Sequence, residues 1–314
     1  MPNTTVTVHP GLHKTASSFI QTALKTARPD FRRTTEILLK DVNSTRELPV
    51  LGDLFTACRR NHTPDVGAIS ARAGDLREAL SNAGIDIEKN LVISDEDLFG
   101  RFRLDKGLVA YEHAAEGLAV LKNVFGDRLR LVVYLRNPVH YFLSGYIQIF
   151  QSGGESNWND YQHLFDASRL NLYAIAQALA TQLDPEHCRF VLFDEIKQDP
   201  LAYCNAVLQF GPERLTERHL PTKVVNESLS SPALKIAEVA FPSLDTDARK
   251  ALRRFLLKHV KGAKFFPFTP EQIGTYFDQA KPDLERLAAM MTSTQAEHIR
   301  KWTDVSSYFA SDKA

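Results

Sequence analysis

Four short β-type runs constrain this chain more than any other feature: TTVTVHP (4–10), NLVISDE (90–96), RLRLVVYLR (128–136) and CRFVLFDEI (188–196). Each is almost wholly apolar through its middle, the pattern of strands covered on both faces. Helical periodicity fills the intervals. AGDLREALSNAG (73–84) and AYEHAAEGLAVLKNVFG (110–126) carry apolar residues at helical spacing, the second closing on Gly126. Strands alternating with helices predict an α/β fold, a parallel sheet flanked by helices. Such sheets bind ligands beyond the carboxyl ends of their strands, so the residues that end each run matter most. Residues 27–88 read as an irregular helical insert and residues 200–314 as a mainly helical C-terminal portion. With no repeat or linker between them, the expectation is one domain over 1–314.

Composition narrows the partners. The 38 Lys and Arg balance the 38 Asp and Glu, so no global field argues for nucleic acid. The three cysteines, Cys58, Cys188 and Cys204, form neither a disulfide framework nor a zinc motif, and a reducing compartment fits them. The start MPNTTVTV lacks the basic and apolar segments of a signal peptide, and no apolar run reaches the ~18–20 residues of a membrane helix. The expectation is a cytoplasmic protein, with peripheral membrane contact left open.

The first strand runs into VHPGLHKTASSF (8–19), then a helical pattern. A helix N-terminus presents unpaired N–H groups and the positive end of its dipole, which suits an anion. Lys14 adds a charge there, and Thr15, Ser17 and Ser18 add hydroxyls. Gly11 stands only three residues before Lys14, so the spacing of an ordinary ATP loop is not met. The plainer reading is a capped helix with an exposed lysine. The third run repeats the arrangement in LRLVVYLRNPVHYFLSGY: Arg136 ends the strand, Asn137 and Pro138 suit a helix start, and Ser144 lies eight residues after Arg136. A guanidinium there can fork onto a phosphate. A surface arginine paired with an acid, and a small serine packed on the sheet, is the competing account.

Together the two stretches resemble the sulfotransferases that use 3′-phosphoadenosine 5′-phosphosulfate (PAPS). GLHKTASS is similar to that family's 5′-phosphosulfate loop, G-x-x-K-[ST]-G-[ST]-[ST], and VVYLRNPVHYFLSGY to its 3′-phosphate motif. LVISDEDL resembles a strand end common in bacterial members, and VNESLSSPAL a turn of the carbohydrate-type branch. The resemblance implies a P-loop-like sheet and transfer of a sulfuryl group from PAPS to a hydroxyl or amine without a metal. A carbohydrate or glycolipid is the favoured acceptor. It assigns His13, Lys14, Thr15, Ala16, Ser17 and Ser18 to the 5′-phosphosulfate, and Arg136 with Ser144 to the 3′-phosphate. Ala16 departs from the pattern, standing where the family has a glycine.

The acceptor must lose a proton. Glu96 is the preferred general base, with Asp95, Asp97 and His13 as alternatives; an acid-rich helix start explains SDEDL equally well. His9 is expected to satisfy backbone groups. RKALRRFLLKHVKGAK (249–264) reads as a basic amphipathic helix with Leu252, Phe255, Leu256 and Val260 on one apolar face. It is either a solvated surface or a wall for an anionic partner or membrane. Lys223 and Asn226 could approach the nucleotide, and Trp158, Tyr161 and His163 an acceptor ring, although local packing accounts for the aromatics too. Two rivals remain, an ATP-dependent small-molecule kinase and a non-catalytic nucleotide-binding module.

Overall fold

The computed structural model describes residues 4–40, 66–99, 111, 114–151, 157–222 and 228–310. In chain order its main elements begin with β1 (Val6–His9), α1 (Ser17–Phe31), β2 (Thr35–Leu39), α2 (Val66–Asn82), β3 (Asn90–Ser94), α3 (Ala114–Phe125) and β4 (Leu129–Leu135). There follow α4 (Pro138–Gln151), α5 (Leu172–Ala180), β5 (Cys188–Leu192), α6 (Pro200–Asn205), α7 (Ser231–Ala240), α8 (Thr246–His259), α9 (Pro270–Ala289) and α10 (Ser293–Lys301). The strands form one parallel sheet in the order β2-β3-β1-β4-β5. All four expected strands are present, and the α/β class is as the alternation implied.

The stretch 27–88 differs from its expectation. α1 continues to Phe31, and TEILL then forms the edge strand β2, paired with β3 from Thr35↔Asn90 to Leu39↔Ser94. Five residues with mixed preferences carry too little periodicity to separate strand from helix. Pairing against β3 decides the matter.

The described residues group into two compact units. The first comprises Met1–Phe102, Ala110–Arg136 and Tyr173–Val225. It holds the whole sheet. Ile20, Ala23, Leu24, Ala27 and Phe31 form one stripe of α1 and are buried against Ile37, Val92, Val132 and Val191 of four strands. Tyr203, Val207 and Leu208 complete that layer. Burying such a stripe stabilises by roughly 1.5–3 kcal/mol per large apolar side chain, which holds the α1 N-terminus at the sheet edge. β1 leads to β2 on one side and β4 to β5 on the other, so connections leave these two neighbours in opposite directions. The crevice beyond their carboxyl ends is the switch point where open α/β sheets take ligands.

The second unit comprises Arg103–Val109, Asn137–Leu172 and Asn226–Ala314. Its core is aromatic. Phe165 stacks on Tyr276 at 4.2 Å, Phe142 meets Tyr161 at 4.6 Å, and Trp158 stands edge-on to Phe268 at 5.1 Å. Trp158 and Tyr161 are therefore packed into the fold, as the plainer account had it. Asn137 caps α4, its Oδ1 accepting from Val139 N–H at 3.0 Å. Its Nδ2 donates to the Tyr308 hydroxyl at 2.6 Å, which donates to Trp302 O at 2.6 Å. An aspartate would cap as well but could not donate to the Tyr308 hydroxyl while that hydroxyl donates to Trp302 O, which gives the asparagine a physical reason.

Candidate functional site

The segment from Pro10 to Ala16 carries β1 into α1. Lys14 and Ala16 have φ of 66° and 57°, while Thr15 between them does not enter the left-handed region and Ser17 opens the helix. The sign of φ thus alternates from Lys14 to Ser17. That alternation gathers successive N–H groups into one concavity, an anion nest. The carbonyls are drawn elsewhere. Thr15 Oγ1 donates to Leu12 O, Arg136 Nη1 to Lys14 O at 2.8 Å, and the Tyr203 hydroxyl to Thr15 O at 2.8 Å. Phe19 and Ile20 N–H both donate to Ala16 O. The N–H groups of Thr15, Ala16 and Ser17 find no acceptor among the described residues. With the dipole of α1 behind them, they are set for a negatively charged oxygen.

Ala16 holds a left-handed conformation with no side chain to ease it, as its N-cap position makes no side-chain bond. Left-handed backbone at a non-glycine residue costs roughly 1–2 kcal/mol, partly offset by the extra unfolded-state freedom of glycine. Ala16→Gly is therefore expected to raise unfolding free energy by about 0.5–1 kcal/mol. Urea denaturation reads it, and an unchanged or lower midpoint would mean that the nest is not formed as described.

Gly11 supplies the close approach. Its φ is 49°, and a Cβ there would stand 2.7 Å from Ser17 Oγ, 3.2 Å from His9 Nε2 and 3.4 Å from Glu96 Cα. Ser17 Oγ and His9 Nε2 are buried and have no hydrogen-bond partner among the described residues. Burial lowers the His9 pKa to about 3, so the ring is neutral, and its Nδ1 meets Ser94 Oγ at 2.8 Å. His9 thus satisfies a side chain rather than the expected backbone groups. A buried hydroxyl without a partner, beside three open N–H groups at a helix start, fits the oxygens of a phosphosulfate.

The acids after β3 lie in a turn. Asp95 is buried, and its Oδ1 accepts from Asp97 N–H at 2.9 Å. Asp97 receives His13 Nε2 at 2.9 Å and the Lys40 ammonium at 2.9 Å. Lys40 also reaches Glu96 Oε1 at 3.2 Å. Burial alone would raise the Asp97 pKa; the hydrogen bond from His13 and the charge of Lys40 hold it well below the usual carboxylate range. Burial likewise works against the Lys40 ammonium, and Glu96 and Asp97 outweigh it, raising its pKa. His13 backbone N–H and Nδ1 both meet the Tyr111 hydroxyl, at 2.7 and 2.9 Å. The pattern closes with the hydroxyl accepting from the backbone and donating to Nδ1, which leaves the ring proton on Nε2 for Asp97. His13 is thus clamped from both sides. Glu96 is the most exposed carboxylate of the Lys40 cluster, its side chain 23% accessible against 10% for Asp97.

Arg136 directly follows β4, and its guanidinium lies 4.3 Å from the Phe193 ring centroid as well as on Lys14 O. The residue read as a phosphate clamp is also a tie between the two strand ends. Ser144 lies half-buried on α4, in the second unit. Lys223 and Asn226 lie outside the described residues. Sequence reasoning missed Lys40, Tyr111 and Tyr203. Lys40 follows four apolar-rich positions of β2, and recognising that strand would have placed the lysine at a carboxyl end like Lys14 and Arg136. Nothing local marks the two tyrosines.

No family model and no curated protein sequence matches the chain. Among solved structures, a sulfotransferase from Alicyclobacillus acidocaldarius superposes with a TM-score of 0.47 at 13% identity, over 91% of this chain and 95% of that one. A retinol dehydratase in complex with androsterone and inactive cofactor PAP gives 0.41 at 13% identity, over 91% of this chain and 82% of that one. At this similarity no role passes from either protein, and the roles below rest on the geometry of the site and the motifs of the sequence.

Proposed function

We propose that the chain is a PAPS-dependent sulfotransferase acting on a hydroxyl, with a carbohydrate or glycolipid as the acceptor class. One observation carries the reading: the 11–18 loop spends its carbonyls on hydrogen bonds, and the N–H groups of Thr15, Ala16 and Ser17 and the buried Ser17 hydroxyl find no partner among the described residues. Thr15, Ala16, Ser17 and Ser18 hold the 5′-phosphosulfate, and Arg136 takes the 3′-phosphate. His13 anchors the loop through Asp97 and Tyr111.

In the transfer the acceptor oxygen forms a bond to sulfur, and the bond from sulfur to the bridging oxygen breaks. The electron pair of that bond stays on the departing phosphate oxygen, where Lys14 stabilises it. Glu96 accepts the proton of the acceptor hydroxyl. Its Oε1 lies 3.2 Å from the Lys40 ammonium, which orients the carboxylate. Glu96 backbone abuts Gly11, so base and loop share one sheet edge.

Calorimetric titration with 3′-phosphoadenosine 5′-phosphate (PAP), without metal, tests the binding half. PAP is expected to bind, and AMP, lacking the 3′-phosphate, to bind about 10- to 100-fold more weakly, as befits the loss of one or two charge-assisted hydrogen bonds. Binding of ADP with magnesium but not of PAP would assign the chain to the kinases. Tight PAP binding with no product from labelled PAPS across glycans, glycolipids, phenols and amines would favour the non-catalytic module.

A further inference from the structure

The helical hairpin of α7 and α8 carries a surface that the proposed chemistry does not use. Ser230 Oγ donates to Val260 O at 2.8 Å and Ser231 N–H to Ala263 O at 2.8 Å, pinning the start of α7 to the end of α8. Arg249 Nε donates to Phe241 O and Leu244 O at the other end. The helices therefore run antiparallel and are tied at both ends. Gly262 lets the closing segment lie against Pro232, where a Cβ would stand 2.7 Å from its ring.

Its solvent side is apolar and basic together. Of the four large hydrophobics exposed among the described residues, three lie on this hairpin: Ile236 at 45%, Val239 at 82% and Phe255 at 56%. The sequence pattern put Phe255 on one apolar face with Leu256, and of the two only Leu256 is buried. Phe255 is at the surface against His259, ring centroids 4.8 Å apart, beside Arg254 and Lys258. Residues 230–264 contain eight Lys or Arg against three Asp or Glu, in a chain whose charges cancel overall. All three of those acids are already engaged: Glu238 accepts from the Tyr146 hydroxyl, Asp245 caps α8, and Asp247 lies 3.4 Å from the Lys250 ammonium. Arg254 and Lys258 are exposed and make no ion pair among the described residues.

We propose that this hairpin docks the protein on an anionic lipid bilayer, with Phe255, Val239 and Ile236 entering the headgroup boundary and Arg254 and Lys258 meeting the lipid charges. A soluble polyanion would use the cations but leave no reason for exposing a phenylalanine and a valine among them. A neutral apolar partner would leave no reason for the cations. An interface of acyl chains under acidic headgroups matches both. The proposal is independent of the sulfotransferase reading, since it uses no residue of the anion loop.

Co-sedimentation of the full chain with large unilamellar vesicles tests it, comparing phosphatidylcholine alone with phosphatidylcholine containing phosphatidylglycerol. Binding is expected to the anionic vesicles only and to fall with added salt. Arg254→Glu with Lys258→Glu is expected to weaken it at least about tenfold, as each cation near such a surface adds a similar increment. Phe255→Ser is expected to weaken it several-fold without changing the salt dependence. The same charge change at exposed Lys25→Glu and Lys281→Glu should leave binding alone, and thermal melts establish that each variant is folded. No uptake by anionic vesicles, equal uptake by neutral ones, or equal loss in the control pair would overturn the proposal. So would capture by heparin beads with none by vesicles, which assigns the surface to a soluble polyanion.

Discussion

Lys14→Ala is expected to lower sulfuryl transfer by about 10²- to 10³-fold while PAP binding falls by no more than about tenfold, the pattern of a group acting on charge that develops in the transition state. The substitution isolates the ammonium. Lys14 has a left-handed backbone, and alanine bears the same strain there as lysine, so the loop is not asked to adopt a new conformation. The contact that ties it to Arg136 uses the Lys14 carbonyl, which every variant keeps. Lys14→Arg should regain little, because a planar guanidinium does not place its charge where the compact ammonium stood. The measurement is release of PAP from labelled PAPS with whichever acceptor the panel identifies, alongside calorimetric PAP binding. Transfer near the wild-type rate in Lys14→Ala would remove the lysine from the chemistry, whatever the nucleotide affinity.

The strand-to-helix junction at 10–16 was legible because its signature is local. A glycine, a lysine and hydroxyls between an apolar run and a helical pattern are visible before any tertiary contact is known. The four apolar runs were legible because burial on both faces leaves a continuous signature. What the sequence hid is what long-range contacts decide. Tyr203 lies 188 residues from the Thr15 carbonyl it holds, and Tyr111 lies 98 residues from His13. Neither has a neighbour in sequence that hints at its partner. β2 was hidden because pairing with β3, not propensity, makes it a strand, and Lys40 was hidden with it. Ala16 shows a third case. Its conflict with the glycine pattern was visible, but only the backbone reveals that the alanine has kept the glycine's conformation.

The second large effect concerns Asp97, the centre of the Lys40 and His13 contacts. Asp97→Asn is expected to lower unfolding free energy by about 3 kcal/mol at pH 7, the low end for breaking a buried pair by altering one partner. Both groups are well covered, with side-chain exposures of 7% for Lys40 and 10% for Asp97. An asparagine can accept from only one of the two donors that now converge on the carboxylate, His13 Nε2 and Lys40 Nζ, and its own N–H₂ faces the other. Lys40 keeps Glu96, which is why the loss stays near the lower bound. The pH dependence follows from the direction of the shift. The folded Asp97 pKa lies well below its unfolded value of about 3.9, so its contribution is complete above that value and drains away as pH falls below it. The stability gap between wild type and Asp97→Asn should therefore stay constant from pH 7 down to about 5 and narrow below about 4. Lys40→Met should show the opposite partner's loss, and Lys40→Met with Asp97→Asn should cost less than the two single changes together, since no lone charge of the pair is then left buried. Urea titrations across this range read all four chains. A gap that widens as pH falls, or single changes that add fully in the double, would mean that Asp97 and Lys40 do not stabilise the fold as a pair, and His13 would then lack the anchor that holds the loop.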